Sequence, residues 1–192
     1  MPTNSFETWR TVRAKALNEI VAAHRMVGGT GRGRRFATQQ LNHAYAVLLS
    51  SQFQGFCRGL HAECSDHLLS GITSPQLKDI LSQEFDQGRK LDRGNPNPGN
   101  IGSDFSRLGI KLWNEAVQLD TQNATRRKDL ESLNDWRNAI AHQDFDPAKL
   151  GGLKTLRLSQ VHQWRRTCHA LAMTFDEVMR AYLQSITGTS PW

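Results

Sequence analysis

The chain has few cysteines, no long apolar run and no alternating strand pattern. Each shortage closes off a class of protein. The three cysteines, Cys57, Cys64 and Cys168, are odd in number and not tightly paired. That argues against a disulfide framework and for a reducing compartment. Cys57 and Cys64 stand seven residues apart on one face of the same expected helix, where cysteine acts as a small buried hydrophobe. No apolar run approaches the length needed to span a membrane. The opening Met1-Pro2-Thr3-Asn4-Ser5-Phe6-Glu7 lacks the basic region and apolar core of a secretory signal. A cytoplasmic protein with no membrane partner is expected. Recognisable catalytic and ligand motifs are also scarce. There is no His-Glu-x-x-His, no nucleophile elbow, and no metal-ligand spacing in His162, Cys168 and His169. The segment Gly28-Gly29-Thr30-Gly31-Arg32-Gly33 is neither a Walker loop nor a dinucleotide fingerprint, because no strand pattern precedes it and no Gly-Lys-Ser/Thr follows. No metal and no cofactor are expected.

What is present is helical. The 192 residues suit one domain with a sizeable core, and 38% of them are hydrophobic. The formal charge of +6 favours an anionic partner such as nucleic acid. Phe6, Trp9, Val12, Leu17, Ile20 and Val21 recur at helical spacing, so a first helix is expected over 5–27 with Ser5 as its cap. A second, over 37–69, is apolar nearly all round at Ala44-Tyr45-Ala46-Val47-Leu48-Leu49, as a helix buried between others must be. Gly55 and Gly59 inside it permit close approach by a neighbour. Ser74-Pro75 pairs a capping hydroxyl with proline at the first helical position. Residues 86–104 form the one clear low-structure stretch, and long loops of this kind are often functional or mobile. Ser103 or Asp104 is expected to cap a helix running through Phe105, Leu112, Trp113 and Leu119. Further helices are expected over 123–142 and from Ser159 through Ile186, the last closed by Gly188. The expected class is therefore all-α: one domain over 1–192, a bundle of about five or six helices.

Two basic segments stand out. Arg32, Arg34 and Arg35 make the glycine-rich stretch the densest positive segment; RNA-backbone contact and a solvated linker are both consistent with it. Arg126 and Arg127, with Lys128, lie in the first turns of the 123–142 helix. Positive charge there opposes the helix dipole, which suits an RNA contact, although a solvated face explains it equally.

The sharpest pattern is Leu133-Asn134-Asp135-Trp136-Arg137-Asn138-Ala139-Ile140-Ala141-His142. On a wheel at about 100° per residue, Leu130, Leu133, Trp136 and Ile140 share the core arc. Asn134, Asn138 and His142 form a polar stripe at i, i+4, i+8, which lets Asn138 touch His142. Arg137 lies at the edge of the apolar arc and needs a partner, an anion or an interface there. His142 points about 140° away from Arg137, so one straight helix does not converge them. The spacing alone is weak: Arg157-Leu158-Ser159-Gln160-Val161-His162 repeats it and is taken as accidental. A structural Arg–His pair at a helix end, with histidine favoured by the dipole, is the plain alternative.

In its context, with the apolar helix Ala44 to Phe56 upstream, Arg137-Asn138-Ala139-Ile140-Ala141-His142 resembles the Arg-polar-x3-His motif of the HEPN superfamily, and within it the RiboL-PSP-HEPN group. The resemblance covers about residues 36–186 as a pattern. It implies a helical bundle that forms a homodimer and places two motifs in one cleft. It implies RNA cleavage without metal, through 2′-OH attack on the neighbouring phosphate, leaving a 2′,3′-cyclic phosphate and a 5′-OH. Arg137 would hold the phosphate, His142 would move protons, and Asn138 would orient His142 or bind RNA. Many such proteins are toxins of toxin–antitoxin or anti-phage systems, often beside a nucleotidyltransferase-like antitoxin. The same resemblance admits a non-catalytic RNA-, nucleotide- or protein-binding module.

Overall fold

A computed structural model describes residues 1–28 and 36–192. Arg32, Arg34 and Arg35 lie outside the described residues. Among the described residues there are helices and turns and no strand, so the all-α expectation holds. The first rod is α1 (Asn4–Thr8), a π-helical turn (Trp9–Arg13) and α2 (Ala14–Gly28) in continuous succession. Then come α3 (Phe36–Ser70), α4 (Pro75–Asp86), a 3-10 turn (Lys90–Asp92), α5 (Pro98–Ser106), α6 (Leu112–Leu119), α7 (Asn123–His142) and α8 (Leu158–Thr187). Counting the first rod once, this makes seven helices among the described residues, close to the five or six expected.

α3 is the axis. Its 35 residues reach roughly 50 Å, and α2, α7 and α8 pack along it. Tyr45, Ala46, Leu49, Phe53, Phe56, Cys57, Leu60 and Cys64 are fully buried. The close approach at both its glycines is made by the first rod. A Cβ at Gly55 would overlap the Arg13 guanidinium, and one at Gly59 would overlap Ser5 Oγ. The first rod contributes Phe6, Trp9, Leu17 and Val21 to the same core. Its cap is Thr3 rather than Ser5: Thr3 Oγ1 accepts from Phe6 N at 3.1 Å, while Ser5 Oγ donates to Glu63 across Gly59. The three cysteines are free and buried, and burial raises the thiol pKa of each. No described helix is long and apolar enough to cross a membrane.

The 86–104 stretch departs most from expectation. It is tied down, and a helix begins inside it. Asn97 Oδ1 accepts from Asn100 N at 2.8 Å and Pro98 occupies the first turn, so α5 starts before Ser103 and Asp104, neither of which caps it. Asp104 is instead fully buried, and its two oxygens accept from Lys90 N and Leu91 N at 2.8 Å each. Gln54 of α3 donates to Leu91 O at 2.6 Å and Gly94 O at 2.8 Å. Gly109, at φ +86°, then turns the chain between α5 and α6, dividing what the sequence suggested was one helix.

Candidate functional site

α7 presents the motif. Of the core arc the wheel places, Leu130, Leu133 and Trp136 are buried and Ile140 is partly buried against the core, while Ala139 is buried beside them; burying each large side chain stabilises by about 1.5–3 kcal/mol. The polar stripe is only partly a surface. Asn134 is buried; its Oδ1 accepts from Ser50 Oγ at 3.2 Å, and its Nδ2 donates to Pro96 O at 3.1 Å and Leu130 O at 2.8 Å. It stitches α3, α7 and the 86–104 segment together, which leaves it no surface role. The wheel misplaces it because the Pro96 loop, remote in sequence, covers that part of the helix.

Asn138 is the next residue on the stripe. Its Oδ1 accepts from Asn95 Nδ2 and from Arg137 NH1, the latter at 3.3 Å. Arg137 is half-buried and makes no ion pair among the described residues. One turn on, Asn138 lines an open hollow of about 220 Å³ with Asp135, His142, Asp144 and Lys149. His142 is exposed. It shares this hollow with Asn138 without a hydrogen bond between them among the described contacts. Arg137 does not line the hollow, as the wheel requires.

The helix end is well defined. Gln143 takes the left-handed conformation at φ 55° and ψ 31°, and Asp144 N donates back to Ala139 O at 3.0 Å. Gln143 Nε2 covers Ile140 O at 2.7 Å. Two carboxylates flank His142 with opposite tendencies. Lys149 Nζ donates to Asp144 at 2.8 Å and is the main cause that holds its pKa low. Burial, then Glu131, raises the pKa of Asp135. The hollow thus offers an exposed imidazole at a helix C-terminus beside two carboxylates.

Arg126 and Arg127 stand apart from this hollow. Arg126 donates to Asp120 at 2.6 Å, Asn123 at 2.8 Å and Gln122 at 3.0 Å, and so neutralises charge at the start of its own helix. The Arg127 guanidinium lies 5.3 Å over the Trp113 ring. Asn95 is the residue that reading the sequence missed. Nothing local in Gly94-Asn95-Pro96 marks it; only the docking of that loop on α7 does. No protein-family model, no curated protein and no solved structure matches the chain.

Proposed function

We propose that the chain is a metal-independent endoribonuclease of HEPN type, acting as a homodimer in a toxin–antitoxin or anti-phage role. The observation that carries this reading is Asn138, which accepts from Arg137 on one side and lines the His142 hollow on the other. Cleavage of RNA needs a base for the 2′-OH, an acid for the leaving 5′ oxygen, and positive charge on the crowded phosphate. In this reading Arg137 supplies the charge as a planar fork of donors that no carboxylate occupies. His142 takes the 2′-OH proton as the oxygen attacks phosphorus. A second His142, from the partner copy, protonates the 5′ oxygen as the P–O bond breaks. One copy presents one histidine and does not converge it with Arg137, so a dimer supplies what the single helix cannot.

The test is cleavage of single-stranded RNA by the pure protein in EDTA, reading the ends. Cyclic phosphate and 5′-OH ends, lost in Arg137→Ala and in His142→Ala, are expected. Undiminished cleavage in both variants, or a strict monomer that is fully active, overturns the assignment. A second reading draws on a specific feature: Asn138 is engaged by Asn95, and His142 has no described hydrogen bond orienting it. That arrangement suits a non-catalytic RNA- or nucleotide-binding module, for which binding without cleavage is the expected result.

A further inference from the structure

On another part of the bundle, the π-helical turn and α2 face the first half of α8 across an open hollow of about 470 Å³. It shares no lining residue with the His142 hollow. Its base is apolar, formed by Trp9, Ala14 and Leu17, and its sides carry Arg10, Arg165 and Arg166 with His162 and His169. No lining residue is Asp or Glu. Among the described residues, the single carboxylate in contact with these arginines is Glu7, 3.4 Å from Arg10. Among the described residues Arg165 is held by neutral groups: Tyr45 Oη at 3.2 Å, Ala14 O at 3.5 Å and Asn18 Oδ1 at 2.8 Å. Arg166 rests on Gln163 Oε1 at 2.6 Å.

The field inside the hollow is positive at both imidazoles. Burial lowers the pKa of His162, and so do Arg165, Arg166, Arg25 and His24. Burial, Arg10 and Arg165 lower that of His169. Trp9 Nε1 donates to His169 Nδ1 at 3.2 Å. The neutral ring therefore carries its proton on Nε2, as a donor for a ligand. Trp9 and Arg10 stand on the π-helical turn, an irregularity that recurs at functional sites. A ring of guanidinium and imidazole donors whose one paired carboxylate is Glu7, on the exposed Arg10, set over an apolar base, matches an anionic head on an apolar body.

We infer that this hollow binds a small organic phosphate, with Arg10, Arg165, Arg166 and His169 Nε2 on the phosphate and the planar body of the ligand against Trp9, Ala14 and Leu17. The inference is independent of the ribonuclease reading, because the two hollows use different residues.

The test titrates the full chain calorimetrically with AMP, adenosine, inorganic phosphate and a short single-stranded RNA. AMP is expected to bind at least tenfold more tightly than adenosine or inorganic phosphate alone. It is expected to weaken at least tenfold in the double variant Arg10→Gln, Arg166→Gln, whose altered side chains are exposed and whose melting temperature serves as the folding control. His142→Ala is expected to leave AMP binding unchanged, which separates this site from the proposed catalytic one. Equal binding of AMP and adenosine, AMP binding that survives the double variant, or no saturable AMP binding at millimolar concentration overturns the inference. So does RNA binding lost in the double variant without AMP binding, which would make the hollow a track for a nucleic-acid backbone.

Discussion

Arg137-x4-His142 and Arg157-x4-His162 are the same pattern at opposite ends of two helices. The first closes α7; the second straddles the start of α8, with Arg157 at the cap position. His142 is exposed at a C-terminus and lines a hollow with Asp144 and Asp135. His162 is half-buried near an N-terminus, edge-on to Tyr45 at 5.7 Å between ring centroids, and lies among arginines that disfavour its charge. Spacing alone therefore says little about an Arg–His pair. What surrounds the histidine, an open hollow for His142 and a half-buried arginine cluster for His162, decides what it can do.

The largest expected effect separates the two pairs directly. His142→Ala is expected to lower RNA cleavage by about 10²–10⁴-fold, the usual range for losing a positioned proton-transfer group. His162→Ala is expected to leave cleavage essentially unaltered. Equal losses in single-turnover assays would dissolve the distinction.

Next in size is the support beneath the first pair. Asp104→Ala removes a buried acceptor of two amide bonds. It is expected to cost about 2–4 kcal/mol in urea unfolding, because Lys90 N and Leu91 N lose their partner together. Asn95→Ala leaves the loop pinned through Pro96, Leu91 and Gly94, so a loss of about 1 kcal/mol is expected with a clearer fall in cleavage than in stability. A cleavage rate untouched by Asn95→Ala would show that Asn138 needs no outside positioning.

His162 is also expected to show its surroundings in pH behaviour. The folded-state pKa of His162 is lowered, so the unfolded chain binds its proton more readily. Stability from this group is present above the unfolded value of about 6.5 and is lost as pH falls through it toward the folded value. NMR titration should find His162 titrating below a free histidine; a midpoint above it would contradict the arginine-rich surroundings.

The smallest effect is at the α7 terminus. Gln143→Gly relieves a non-glycine residue of the left-handed conformation and is expected to stabilise by about 0.5–1 kcal/mol in thermal unfolding, although the Gln143 bond to Ile140 O is lost. No gain, or a loss, would show that this side-chain bond matters more than the backbone.

Legibility followed the range of the interactions concerned. Ser74-Pro75 and Asn97-Pro98 are the same helix-start signal, yet only the first was readable. Gly94, Gly99 and the surrounding asparagines masked the second, and α5 is a helix because its Ile101 and Phe105 are buried in the core. The 123–142 helix was readable to its ends, since its apolar period is strong and a break flanks each side. Within it, Arg137 at the margin of the packing arc was also readable. Asn134 in the interior and Asn95 on Asn138 were not, because both depend on a loop some 40 residues away docking on the helix.

By itself the sequence determined that this protein is helical, where its long helices run, and that Arg137, Asn138 and His142 stand on one helix near its end. Those properties follow from period, caps and breakers, which act within a few residues. Tertiary structure alone decided which polar residues are structural and which face a hollow, that Asp104 is a buried acceptor, and that Arg10, Arg165 and Arg166 meet over Trp9. These depend on chain segments up to about 160 residues apart being packed together, and no local signal carries that information.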